Sequence, residues 1–203
     1  MSAELSPADR EKLLTLAEAV RELRKEIEQF RGYDDSGYPQ HRERVKRALE
    51  RVLELEREYL RENVGRQCLY PLVFGYGDVA EAYLQLEDLE RTLIYACAYL
   101  EINRIAEDTE GVRAAYKVLS DVAVVAGDAE AFKRFWKKSG KGSDEVYRVV
   151  LRNLRGRKKK MSVPETYKEK PPSFQKLAGN FPLYVLSKEM GVSVERVRQM
   201  LNS

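Results

Sequence analysis

EAYLQLEDLERTLIYACAYLEI, residues 81–102, decides the fold class. Tyr83 and Leu86 lie ahead of a break at Glu87-Asp88, and the residues behind it form a second helix crowded with Leu and Ile. Two residues are enough for a turn and nothing more, so the helices fold back on each other. Ala96, Cys97 and Ala98 on the second helix predict a close helix crossing. Cys97 is then a small core residue rather than a nucleophile, since no partner base accompanies it. Forty residues on, the break recurs at Gly127-Asp128, between helical stretches at 112–125 and 129–138. Residues 69–139 therefore read as two antiparallel helical hairpins.

Working outward, the N-terminal stretch is punctuated as a long helix. Ser6 caps it, Pro7 takes the first helical position, Asp9 falls in the positive first turn and Gly32 follows the end. Leu13, Leu16, Val20, Leu23, Ile27 and Phe30 recur at alternating spacings of 3 and 4, the pattern of a helix–helix seam. The helix at 40–63, reached through YDDSGYP, offers Val45, Leu49, Val52, Leu55 and Tyr59 to cover it. An intramolecular hairpin is the simpler outcome, and a homodimer through the same seam is the alternative.

Toward the C-terminus a helix at 144–155 carries a Ser143 cap, Asp144 and Glu145 in its first turn, and Arg152 and Arg155 in its last. Arg157-Lys158-Lys159-Lys160 and MSVPETYKEKPP follow, with three prolines and little to bury, so 157–172 reads as a basic flexible linker. Residues 173–203 become orderly again. They predict a short helix capped by Ser173 and stopped near Gly179, a second over 181–190, a turn at Gly191 and a third from Val194 capped by Ser193.

The expected fold is all-α: antiparallel helical hairpins over 1–156, the linker, and a small helical module at 173–203. Charge also divides along the chain. Residues 1–132 hold 18 Lys+Arg against 27 Asp+Glu, whereas 133–203 hold 18 against 6, so the net +3 conceals a basic third on an acidic protein. A segregated positive charge points to a polyanionic partner, inside a cell most often nucleic acid. The apolar runs are too short to span a bilayer and the first residues are too charged for a secretory signal, which points to a cytoplasmic protein without membrane contact. Cys68 and Cys97 fit neither a disulfide framework nor metal spacing, and His41 is the single histidine, so no metal or cofactor is expected. Gly75-Tyr76-Gly77 and Gly140-Lys141-Gly142-Ser143 lack the glycines of a dinucleotide or phosphate loop. With no acid/base pair singled out, an enzyme is not expected. Abundant Glu, Arg and Lys beside 6 Gln and 5 Asn lean toward a thermophile.

Two resemblances sharpen this reading. Residues 81–102 resemble a tetratricopeptide-type hairpin, with Thr92 and Tyr99 where such repeats prefer small residues and a 40-residue spacing in place of the usual 34. LSKEMGVSVERVRQML, residues 186–201, resembles the helix-turn-helix of DNA-binding proteins, and VSVERVRQM the recognition helix of sigma-factor-type modules. The resemblance implies that Leu186 and Met190 meet Val197, Met200 and Leu201, that Gly191 makes the left-handed turn, and that Val192 plugs the corner. Ser187 stands where the helices cross closely.

Ser193, Val194, Glu195, Arg198, Gln199 and Asn202 then face outward, with chemistry suited to base edges and phosphates in a major groove. Lys176, Lys188 and Arg196, with Arg157, Lys158, Lys159 and Lys160, add attraction to the backbone. The expected function is DNA binding, in transcription or in genome or mobile-element maintenance, with the body making a self-contact or a protein contact. RNA binding by the basic linker is a variant of it. The alternative is a non-enzymatic helical-repeat scaffold for a protein partner, an arrangement that resembles PCI-type subunits, with the C-terminal hairpin docking rather than reading DNA.

Overall fold

The computed structural model describes residues 6–30, 38–63, 75–140, 142–165 and 181–202. The described residues form an all-α fold of helices α1 (Pro7–Phe30), α2 (Tyr38–Asn63), α3 (Tyr76–Gln85), α4 (Leu89–Ile105), α5 (Thr109–Ala126), α6 (Ala129–Ser139), α7 (Asp144–Leu154), α8 (Phe181–Met190) and α9 (Val194–Leu201). The helix expected between Ser173 and Gly179 lies outside them, as does Lys176. No helix among the described residues is long and apolar enough to cross a membrane.

The N-terminal seam closes inside the chain. α1 packs on α2, and Leu16, Leu23 and Ile27 are buried against a face holding Val45, Leu49, Val52 and Tyr59. Leu13, Val20 and Leu55 are half-buried at its margin. Each fully buried aliphatic side chain contributes about 1.5–3 kcal/mol, so no second copy is needed to cover the stripe. Lys12 pairs with Glu62 across the open end of the hairpin. Arg24 grips Asp78 through two bonds of 3.0 and 2.9 Å, and Gln85 donates to the Ile27 carbonyl; both tie α1 to α3.

One turn is built three times, every twenty residues. At Glu87-Asp88, Glu107-Asp108 and Gly127-Asp128 the first residue is left-handed, with φ of 65°, 55° and 72°. The Asp backbone N–H in each donates to the carbonyl five residues back, closing the preceding helix. The Asp side chain then accepts the N–H three residues on, opening the next: Arg91, Gly111 and Ala131. One residue thus ends one helix and caps the following one. The sequence reading found the outer two turns and left 106–111 as a gap between hairpins. The middle turn instead places α4 against α5 just as α3 meets α4, so α3 to α6 form a continuous run of antiparallel neighbours. Tyr76, Tyr95, Leu100, Leu119, Phe132 and Phe135 fill its core. Ala96, Cys97 and Ala98 sit at the expected crossing, where burial pushes the Cys97 thiol up to about 12, outside the range in which thiolate chemistry operates.

Candidate nucleic-acid interface

α8 and α9 form the helix pair that the sequence outlines, with the expected ends. α8 stops at Gly191, whose φ of +65° suits glycine, and the Val192 N–H closes it on the Ser187 carbonyl at 3.1 Å. Ser193 caps α9 by accepting the Arg196 N–H at 3.2 Å. Ser187 is buried, and its hydroxyl donates back to the Tyr184 carbonyl at 2.7 Å, which keeps it from opposing the close crossing. The corner itself differs from expectation. It is made by Leu186 and Val197, both 2% exposed, with Leu201 and Val194 half-buried beside them. Met190, Val192 and Met200 face solvent at 41, 36 and 42%. The reason is that α8 turns its apolar side toward the body: it packs on α4, and α9 touches α2. Leu183 and Val185 are buried as well, at 2 and 1% exposed.

Val194 therefore packs inward rather than facing out. Ser193, Glu195, Arg196, Gln199 and Asn202 are exposed, and Arg198 is partly so. Arg198 lies 3.3 Å from Glu195, and Arg196 donates to the Gln199 side-chain Oε1 at 3.2 Å. Such exposed pairs break at little cost when a ligand competes. Lys188 stands 5.2 Å above the Tyr184 ring, on the α8 side.

The module is bolted to the body by a residue the sequence analysis passed over. Glu189, whose side chain is only 6% exposed, accepts the Tyr83 hydroxyl at 3.1 Å and the Tyr95 hydroxyl at 2.9 Å, with Arg91 3.6 Å away. Beneath it Glu56 is buried and accepts the Tyr76 hydroxyl at 3.3 Å. Burial, and then the charge of Glu189, push the Glu56 carboxyl up to about 8, against the Tyr76 hydrogen bond and Arg57. A hydrophobic α2 face interrupted by a Glu at 56 was the available signal, since an inward carboxylate needs a partner.

Residues 157–165 are a strap, not a free spacer. Arg157, Lys158, Lys159 and Lys160 are exposed, but the Lys160 N–H donates to the Ala126 carbonyl at 2.8 Å and Val163 is buried. Asp128 holds the strap with the oxygen its cap leaves over, accepting the Val163 N–H at 3.0 Å and lying 3.0 Å from the Lys159 ammonium. Gly127 lets the strap pass, because a Cβ there would come within 2.9 Å of the Lys158 carbonyl oxygen. One Glu165 oxygen ends the strap by accepting Tyr116, Lys138 and Arg104 at 2.6, 2.6 and 2.7 Å. Burial raises the Glu165 carboxyl, but these donors prevail and bring it down to about 2. Apolar content alone suggests a flexible linker here; polar anchors to helix ends do the ordering instead.

Asp128→Ala tests this arrangement. Losing an N-cap costs about 1 kcal/mol, and leaving the buried Val163 N–H unpaired costs about 1–3 more. Asp88→Ala loses only the cap and the exposed Arg91 contact. Chemical melts are expected to show the larger loss for Asp128→Ala, with faster tryptic cleavage at 157–160. Equal losses and equal cleavage would mean that Asp128 does not hold the strap.

A groove of about 800 Å³ runs along α2 to Tyr83, Arg91 and Glu189. Its arginines, Arg47, Arg51, Arg57 and Arg61, alternate with Glu50, Glu54 and Glu58, so opposite charges nearly cancel and it offers no polyanion track. No cluster of three or more metal-ligating side chains occurs among the described residues. Compared with protein-family models, curated proteins and solved structures, the chain matches none.

Proposed function

We propose that the protein binds nucleic acid, duplex DNA in preference to RNA, and reads it through α9. The observation that carries this reading is a short, capped helix fixed on its inner side by Val197 while Glu195, Arg196, Gln199 and Asn202 stand in solvent. A helix held this rigidly presents side chains to base edges without ordering them first, and its free N-terminal amides beside Ser193 suit a phosphate. Arg and Gln have the donor and acceptor patterns that guanine and adenine display in the major groove. The remaining body is free for a protein contact in transcription or genome maintenance. Docking of α8 on α4 through Glu189 favours a second reading, in which the pair is a structural closure of a protein scaffold and α9 reads nothing.

Selection from random duplexes separates them. An enriched site is expected, and Arg198→Ala or Gln199→Ala is expected to lose about 1–3 kcal/mol on it while keeping most non-specific affinity. No enriched site, with Gln199→Ala indistinguishable from the parent, would leave the scaffold reading.

A further inference from the structure

The positive charge of the chain lies elsewhere than on the helix pair. Residues 133–160 hold 12 Lys+Arg and 2 Asp+Glu, whereas 161–203 hold 6 and 4. On α8 and α9, Lys188, Arg196 and Arg198 face Glu189 and Glu195, which leaves a single net charge. The excess belongs to α6, α7 and the start of the strap.

Few carboxylates neutralise that excess where it lies, with 12 Lys+Arg against 2 Asp+Glu. On the body, several exposed cations stand beside carboxylates one turn away, as in Lys25 with Glu22, Arg47 with Glu43, Arg51 with Glu54 and Arg113 with Glu110. In 133–160 carboxylate partners reach only Lys133, Lys138 and Lys159 among the described residues, and only that of Lys133 is one turn away. Lys137, Arg148, Arg152, Arg155, Arg157 and Lys158 are exposed without one among the described residues. Arg148, Arg152 and Arg155 follow at i, i+4 and i+7, one face of α7. The platform beneath is rigid: Phe132 and Trp136 of α6 lie 5.7 and 6.1 Å from the Tyr147 ring of α7. Like charges on fixed neighbouring helices repel, and a neutralising anion relieves that repulsion.

We propose that the α6–α7 face and the Arg157–Lys158 start of the strap form the surface on which the phosphodiester backbone of a nucleic acid duplex lies, with α9 supplying sequence reading and little of the affinity. This rests on the nucleic-acid reading above and assigns its electrostatic part to residues outside the helix pair. α7 is 11 residues long, about 16 Å, and a duplex carries one charge per roughly 1.7 Å of axis, so α7 alone meets several phosphates.

The test uses the full chain, random and enriched 20-base-pair DNA duplexes, an RNA duplex of equal length, and two salt concentrations. Lys137→Gln with Arg148→Gln and Arg152→Gln is compared with Lys25→Gln, Arg47→Gln and Arg51→Gln, which remove equal charge from the paired body surface. The first triple variant is expected to weaken random DNA at least tenfold at low salt and to reduce the slope of log affinity against log salt by about 2–3. Its preference for the enriched duplex should persist, and the control should change affinity less than threefold. Equal weakening on RNA identifies the backbone as the shared ligand; weakening on DNA alone still supports the surface and narrows it to B-form. Parent-like affinity and slope in the first variant, with preference lost in Gln199→Ala, overturns this proposal and leaves α9 reading intact. Parent-like DNA binding with loss of self-association instead shows that the face meets the acidic half of a second copy, and overturns it too. No binding of the parent to any duplex overturns both readings.

Discussion

A chain ending at Gly156 is expected to be several kcal/mol less stable than the full protein rather than a folded body without its tail. The cut removes Val163, Leu183, Val185, Leu186 and Val197, each at most 2% exposed. At about 1.5–3 kcal/mol per buried side chain their burial is comparable with the 5–15 kcal/mol that holds a domain together. Freeing the tail recovers conformational entropy, which offsets part of the loss. The cut also strips the acceptor from the Tyr83 and Tyr95 hydroxyls and the anion from between Arg104 and Lys138. Urea unfolding should show the midpoint falling by about 1–3 M, given slopes of roughly 1–3 kcal/mol/M. A second chain ending at Glu165 keeps the strap and should fall between the two. A cooperative transition with an unchanged midpoint at Gly156 would mean that the helix pair is not part of the core, and the tail would be separable after all.

That expectation reverses what the linker composition suggests, and the reversal shows where the sequence is readable. Local signals carry well: Ser6, Ser143 and Ser193 cap where they should, and α8 and α9 begin and end at the expected residues because glycine and serine act on their own neighbourhood. The α1–α2 seam is legible because its period is long and regular. Two kinds of information are not local. Glu87 and Glu107 both adopt the left-handed conformation without being glycine, and the middle turn announces itself chiefly through the twenty-residue recurrence of Asp88, Asp108 and Asp128. The roles of Glu165, Glu189 and Asp128 depend on groups 27 to 106 residues away, and a carboxylate on a helix face looks the same whether it meets water or a buried tyrosine. The exposure of Met190, Val192 and Met200 has the same origin. Their spacing fits an isolated helix-turn-helix, but α8 also packs on α4, and that contact bears on which side of α8 turns inward.

Stability should also peak in mildly acidic solution, and Glu56→Gln should abolish the alkaline half of that peak. Glu56 faces Arg57 on α2, Tyr76 on α3, Tyr95 on α4 and Glu189 at the end of α8. In the folded protein burial and the Glu189 charge keep its proton until about pH 8, while in the unfolded chain it leaves near the ordinary carboxyl value of 4.5. The folded state therefore binds the extra proton between those limits, and stability declines as pH rises from about 4.5 to about 8 and is level above. Glu165 works in the opposite direction. Its folded value of about 2 lies below the ordinary one, so its contribution is present above about 4.5 and disappears as pH falls toward 2. Replacing Glu56 with the neutral isostere leaves Tyr76 an acceptor and removes the titration. At pH 4.5 Glu56→Gln should match the parent; at pH 8.5 it should exceed it by a few kcal/mol, on the order of the cost of ionising a buried carboxyl beside another. Glu165→Gln should instead flatten the acid side and leave the alkaline decline in place. Urea midpoints at pH 3, 4.5, 7 and 8.5 for the three proteins measure both halves. A parent whose stability holds level from pH 4.5 to 8.5, or a Glu56→Gln protein that declines in parallel with it, would mean that the buried carboxyl beneath α8 does not govern how tightly the helix pair is held.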